Sequence, residues 1–244
     1  MNDIALSEMQ SPGTLAARPP VDYRFPKLWS ILRQKPELIF FVALILVFNV
    51  PILFGEVWSS AVFQTASVSK GEWWRVFTHP FVHLTWYHLL LDGTAFLSLY
   101  WSLLERRIFV RLAYVIASAA GSLASCLASP GLLENGLCGL SGIAHALMAI
   151  SAIEMLGGDK AAQKIGWISL ILVVGKGIIE AITGKMFFGF LDFGLLGTPV
   201  AVSHAGGILG ALIAMLLLRR VEPALISRAK SVFIAVHQWL RVRL

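Results

Sequence analysis

Apolar residues run along this chain in long blocks separated by short polar breaks. Six blocks, residues 37–54, 84–104, 108–128, 140–157, 165–183 and 201–218, approach the roughly 20 residues an α-helix needs to cross a hydrocarbon core. The pattern predicts an all-α, polytopic membrane protein: a six-transmembrane-helix bundle over 37–218, an N-terminal tail over 1–36 and a C-terminal tail over 219–244. With 57% hydrophobic residues, 14% charged and a mean hydropathy of +0.75, the chain is not an ordinary soluble domain. The fourth and sixth blocks are short, and both open at polar residues, Ser141 and Ser203-His204. Helices that start below the surface would submerge whatever stands at their N-termini.

Charge sets the orientation, because Lys and Arg near span ends are retained on the cytoplasmic side. With Arg111 at the start of the third block counted to the second connection, the N-terminal tail, the second and fourth connections and the C-terminal tail together hold 16 of the 20 basic residues. Both termini are therefore expected on the cytoplasmic face of a cell (inner) membrane, and the net charge of +6 reflects topology. Nucleic-acid binding is the weaker reading, since the basic residues are spread over several loops without a recognised binding motif. The proline-bearing tail before the first block reads as a loosely ordered leader, and no cleavable signal is expected ahead of that block. The final segment alternates apolar and basic residues, as an amphipathic helix on the inner leaflet or a solvated tail would. Cys126 and Cys138 are the only cysteines. Apolar filler is the simpler reading for them, a disulfide the other.

Polar side chains at membrane depth are costly and mark function by default. Acyl transfer needs a nucleophile, a base for its proton and donors for the oxyanion. Ser141 opens the fourth block within Gly139-Leu140-Ser141-Gly142. Free N–H groups at a helix N-terminus suit an oxyanion, and Gly139 and Gly142 would let a substrate backbone approach. Taken alone, the same glycines also serve close helix packing. His204 precedes Ala205, Gly206, Gly207, Gly210 and Ala211, small residues that would bring the sixth helix against the fourth. His145, four residues after Ser141, shares its face and either stacks on His204 or is a core histidine.

The first connection holds Trp58, Trp73, Trp74, Phe77 and Phe81 among Arg75, His79 and His83, and reads as a partly helical loop half-buried in the interface. His79 and His83 are either interfacial anchors or part of the site, and His83 is also a candidate for lining a water path. His88 and Asp92 lie one turn apart on one face of the second helix and point into the bundle. Lys176 and Glu180 have the same spacing in the fifth block and read as an ion pair.

In one order along residues 55–218, the Trp74-Arg75 pair, the His79/His83 spacing, His88, Glu105-x-Arg107, Gly139-Leu140-Ser141-Gly142 and His204 with its glycines resemble the rhomboid intramembrane serine proteases. The resemblance implies a Ser141–His204 dyad without a third, acidic member. It also implies an oxyanion site from the Ser141 N–H and His88, cleavage of a transmembrane protein substrate near its outer end in the lipid bilayer, and no cofactor or metal. Two positions depart from that pattern: Asp92 stands where an asparagine is usual, and His145 where a tyrosine is. A carboxyl kept neutral by burial could still donate to an oxyanion; otherwise Asp92 turns away or pairs with a histidine. His145, Lys176 and Glu180 look like the rhombosortase branch, which implies processing of bacterial surface or secreted proteins with a glycine-rich, transmembrane and basic C-terminal tail. Two other functions stay open: a non-catalytic scaffold for transmembrane clients, and a metal site built from His88, Asp92, His145 and His204. Nothing in the sequence sets the oligomeric state.

Overall fold

A computed structural model describes residues 34–127, 129, 132, 136–187 and 200–218. Most of the N-terminal tail and all of the C-terminal tail, with their expected leader and amphipathic helix, lie outside these residues. Among the described residues the secondary structure is helical apart from one isolated antiparallel bridge between Phe63 and Leu137. The helices are α1 (Glu37–Asn49), α2 (Thr65–Ser69), α3 (Arg75–Thr78), α4 (Trp86–Ser102), α5 (Ile108–Cys126), α6 (Ser141–Met155), α7 (Lys160–Thr183) and α8 (Val202–Leu218). Among the described residues three stretches are long and apolar enough to cross a membrane: Glu37–Phe54, α5 and α7. The other long helices are shorter. At 1.5 Å per residue the 15 residues of α6 reach about 22 Å, short of a roughly 30 Å hydrocarbon core.

Local chemistry sets the ends. Pro51 tightens the end of α1 into a 3-10 turn over Val50–Phe54, which Gly55 closes with a left-handed φ of 77°. Thr85 caps α4 by accepting from the His88 N–H at 3.2 Å. Asp159 caps α7 through the Ala162 N–H at 2.9 Å, so α7 begins five residues before the predicted block and carries Lys160 and Lys164 in its first turns. Long lysine stems tolerate that position at a membrane edge.

The central helix is α6, packed on α4, α5 and α7. Its alanines let neighbours press on it from all sides: Ala146, Leu147, Ala149 and Ile150 have no exposed surface. Phe41 of α1 meets Phe96 and Tyr100 of α4 edge-on at 5.2 and 5.1 Å, extending this core outward. The outer faces of the long helices are apolar too, with Phe40, Phe109, Ile116, Ile171 and Ile182 exposed. Such a surface is an anomaly in water and the expected one against lipid.

Polar groups fasten both ends. At the end holding the second connection, Lys35 donates to the carbonyls of Tyr100 and Leu103 at 3.0 and 2.8 Å. Glu154, near the end of α6, accepts from the N–H groups of Leu104 and Glu105 at 2.7 and 3.0 Å. Arg107 pairs with Glu105 at 2.8 Å, and that hydrogen bonding holds the Glu105 carboxyl below its usual range. Arg111 donates through Nε to Glu37 at 2.6 Å and through Nη1 to the Arg106 carbonyl at 2.6 Å, while Tyr100 donates to the same carboxylate at 2.8 Å. The sequence pattern treats Lys35 and Arg111 as loose loop charges. The structure buries both, because helix-end carbonyls and Glu37 offer partners that a solvated loop does not need. At the opposite end Arg75 donates to the carbonyls of Ser59 and Val62, each at 2.6 Å, and holds the partly helical loop that carries exposed Trp73, Trp74 and Phe77.

Removing one partner of a buried ion pair leaves the other uncompensated. Arg111→Met should therefore cost about 3–5 kcal/mol, and the double change Arg111→Met with Glu37→Gln should recover most of it. Thermal unfolding in detergent checks this; equal losses in both variants would contradict it.

Candidate active site

The segment before Ser141 is tied to the loop between α1 and α4. Phe63 and Leu137 exchange two backbone hydrogen bonds at 3.0 Å, and the Gly139 N–H donates to the His79 carbonyl at 3.1 Å. Gly139 takes a left-handed φ of 97°, and a β-carbon there would lie 2.6 Å from His88 Nε2 and 2.9 Å from Asp92 Oδ2. Glycine is thus required at 139 both by its dihedral and by the two side chains against it. Ser141 then begins α6. The residue before it, Leu140, supplies no side-chain cap, and the first N–H groups of a helix have no partner within it. They stand with the positive end of the helix dipole at Ser141.

Contact between α6 and α8 is made by backbone. A β-carbon on Gly207 would meet the Gly142 carbonyl, and one on Gly142 would meet Ser122 Oγ and, at 3.1 Å, the Ser203 carbonyl. Gly206 and Gly210 face Gly121 and Ala117 of α5 in the same way. Residue 142 follows Ser141 and residue 203 precedes His204, so the serine and the histidine are brought to one level from helices that start there. Beside Ser141 a cavity of about 10 Å³, room for one water, is lined by His79, Cys138, Gly139, Ser122 and Ser203.

His145 links the two. Its Nδ1 lies 2.7 Å from the Ser141 carbonyl, its ring stacks on His204 with centroids 3.9 Å apart and planes 12° apart, and its Nε2 lies 2.8 Å from Lys176 Nζ. A carbonyl only accepts and an ammonium only donates, so His145 is the Nδ1–H tautomer with its Nε2 lone pair on Lys176. Lys176 also pairs with Glu180 Oε1 at 2.8 Å. The other oxygen of Glu180 meets His204 Nδ1 at 2.6 Å. The sequence reads Glu180 as an ion-pair partner for Lys176 and as a mark of the rhombosortase branch, without a contact to His204; a carboxylate in an apolar helix has a second oxygen to satisfy, and that is the available signal.

The His88 ring accepts from the Leu84 N–H at Nδ1, 3.3 Å, which leaves the ring proton on Nε2. That nitrogen lies 3.2 Å from Asp92 Oδ2. Of the alternatives for Asp92, the structure shows pairing with a histidine. His83 has no exposed surface, and burial pushes its pKa down to about 4. Its Nδ1 lies 3.2 Å from Asn49 Oδ1, so its lone pair is on Nε2, 3.8 Å from Asp92 Oδ2. Among the described residues His83 Nε2 makes no hydrogen bond, and Asp92 Oδ2 has only its 3.2 Å contact with the His88 ring. Asn49, which the sequence did not single out, anchors the His83 backbone as well, at 2.9 Å. His79 is a fastener: its Nδ1 meets the carbonyls of Arg75 and Val76, and burial pushes its pKa down to about 4. Cys126 and Cys138 are both free, the first packed with Phe63 and Leu132.

Among the described residues two groups could offer ligands to a metal within 4.8 Å: His83, His88 and Asp92, and His145, Glu180 and His204. In the second group the Lys176 ammonium already holds His145 Nε2 and Glu180, so a cation there meets like charge. The four-residue set of the sequence reading is divided between these groups.

Residues 70–221 match the family model of the rhomboid domain. The chain belongs to the rhomboid family. No curated protein and no solved structure gives a match. Rhomboids are a family of intramembrane-protease type that act on transmembrane substrates within the bilayer, and this rhomboid is a multi-pass membrane protein.

The glycine contact gives a direct test. Gly207→Val would force α6 and α8 apart, costing about 1–3 kcal/mol as overpacking, and on the expectation that Ser141 is a nucleophile it should abolish labelling by a fluorophosphonate. Gly175→Ala, whose β-carbon meets nothing within 4 Å, should leave both labelling and unfolding temperature unchanged. Labelling and thermal unfolding of the two variants side by side check this.

Proposed function

We propose that this rhomboid is an intramembrane serine endopeptidase, with Ser141 as nucleophile and His204 as general base and acid. The observation that carries the reading is the placement of His145, bonded to the Ser141 carbonyl and stacked on His204 at 3.9 Å. It ties the N-termini of two separate helices into one assembly.

The chemistry follows from the groups present. Ser141 Oγ attacks the scissile carbonyl carbon, its proton passes to His204 Nε2, and the carbonyl π pair becomes an oxyanion. The free N–H groups at the start of α6 and the His88 Nε2–H stabilise that charge. The C–N bond then breaks as His204 gives its proton to the leaving nitrogen. Water attacks the acyl-enzyme, passing its proton to His204, and the acyl–oxygen bond breaks as Ser141 regains a proton. Asp92, an acceptor toward His88, orients that ring and competes for its proton; Gly139 and Gly142 keep the approach to Ser141 open; His83 lines the polar side of the site.

The fastening end gathers Lys35, Arg107, Arg111 and Glu154, from the N-terminal, second and α6 end segments. That these basic segments meet at one end supports both termini on the cytoplasmic side of a bacterial inner membrane, with Ser141 toward the outside. The His145, Lys176 and Glu180 set supports the rhombosortase branch, whose substrates are surface proteins with C-terminal sorting tails.

A metal-binding reading has one observation in its favour, the His83 Nε2 that makes no hydrogen bond beside Asp92 and His88. Labelling with a fluorophosphonate separates the two. On the protease reading labelling survives a chelator, disappears in Ser141→Ala, falls at least about 100-fold in rate in His204→Ala, and is preserved or raised in Asp92→Asn. Labelling that persists in Ser141→Ala would refute the nucleophile. A complete loss in Asp92→Asn would give the carboxylate a role of its own. For the substrate class, co-expression with surface proteins bearing such tails should yield new C-termini by mass spectrometry; unprocessed tails would remove the rhombosortase assignment alone.

A further inference from the structure

Glu180 stands near the C-terminal end of α7, on a different element from Ser141 and His204, and has no exposed surface. Gly177, one turn earlier, lets α8 approach: a β-carbon there would lie 3.2 Å from Ile208 and 3.5 Å from the Ala205 backbone. The carboxylate thereby reaches across to His204. Its two oxygens have different work. Oε1 accepts from Lys176 at 2.8 Å and from the Phe187 N–H at 2.9 Å, and Oε2 accepts from His204 Nδ1 at 2.6 Å. A carboxylate needed only to neutralise Lys176 would not spend its shorter contact on an imidazole.

We propose that Glu180 is the positioning residue of a Ser141–His204–Glu180 triad, in place of the dyad that the resemblance implies. The inference rests on the serine-protease reading above. A neutral imidazole carries one N–H, and a carboxylate can only accept, so Glu180 fixes that proton on Nδ1 and leaves the Nε2 lone pair for the Ser141 proton. Lys176 lies 3.5 Å from the same Nδ1 but offers only donors, so it does not compete for this hydrogen. When Nε2 takes the serine proton, Glu180 faces the resulting imidazolium directly, while the stacked His145 stays neutral. The proton remains on His204 until the leaving nitrogen collects it, and Glu180 is not itself protonated.

The alternative, that Glu180 serves only to balance Lys176, predicts a different outcome when both charges are removed. Full-length protein in detergent would be reacted with a fluorophosphonate, and the maximal inactivation rate kinact separated from the binding constant KI. Glu180→Gln leaves an unbalanced ammonium, whereas Lys176→Met with Glu180→Gln leaves none. The triad predicts that the double variant folds and has kinact lowered on the order of 10²- to 10⁴-fold relative to Lys176→Met alone, which already lacks the donor to His145, with KI unchanged. A kinact in the double variant equal to that of Lys176→Met alone would overturn the triad while Ser141→Ala, run in parallel, still reports on the nucleophile. Should either variant fail to fold, nitrogen NMR of histidine-labelled parent protein decides: His204 protonated at Nδ1 supports the triad, and His204 protonated at Nε2 overturns it.

Discussion

The close approach of two helices at a pair of glycines is what the site depends on. Inside lipid no hydrophobic force draws helices together, so contact comes from packing and from polar bonds across the interface. Gly142 against Gly207 removes the side-chain layer and lets α6 and α8 touch backbone to backbone. Gly206 and Gly210 fix α8 on α5 by the same means. With both sides of α8 so held, the level of Ser141 and His204 in the bundle follows from where their helices begin, and His145 touches both.

Polar groups divide into two kinds along the bundle. At the fastening end Lys35, Arg111, Tyr100 and Glu154 bond helix-end carbonyls, N–H groups and one another, which is how a charge is kept in a low-dielectric interior. At the end with Ser141, bonding is deliberate but incomplete. Arg75, His79 and Asn49 are engaged, whereas among the described residues His83 Nε2 makes no hydrogen bond and Asp92 Oδ2 has only its contact with His88. Buried atoms left without a hydrogen bond are rare, and here Asp92 Oδ2 lies against Gly139, two residues before the serine.

The helical class and the membrane setting were legible in the hydrophobic blocks, because lipid permits few other backbones. Gly139, Ser141, His204 and His88 stand out in the sequence as well, since glycine next to a polar residue at depth has few explanations, and their roles belong to the proposed function. What escaped was partnership across sequence. Glu180 stands at the i,i+4 position from Lys176, and that local spacing offered a sufficient partner, which hid the contact 24 residues away. Asn49 lies at the end of an apolar helix with nothing local to announce that it would hold His83. Lys35 and Arg111 were read as loop charges because burial of a cation depends on helix-end carbonyls that only the fold brings together. The start of α7 was missed for a simpler reason: its cap at Asp159 lies outside the apolar block that outlined the helix.

His145 shows how these contacts depend on one another. Where the resemblance leads one to expect tyrosine, an imidazole stacks on His204, and an imidazole has a second nitrogen to satisfy. One nitrogen uses the Ser141 carbonyl; the other, buried, needs a donor, and Lys176 is that donor. An ammonium at this depth needs an opposite charge, which Glu180 supplies. The remaining oxygen of Glu180 must itself be satisfied, and the donor within reach is Nδ1 of His204. The histidine at 145 thus brings in a lysine, the lysine a glutamate, and the glutamate returns to the ring on which His145 is stacked, so these side chains form one closed set in which none can be exchanged without leaving a buried polar atom unpaired.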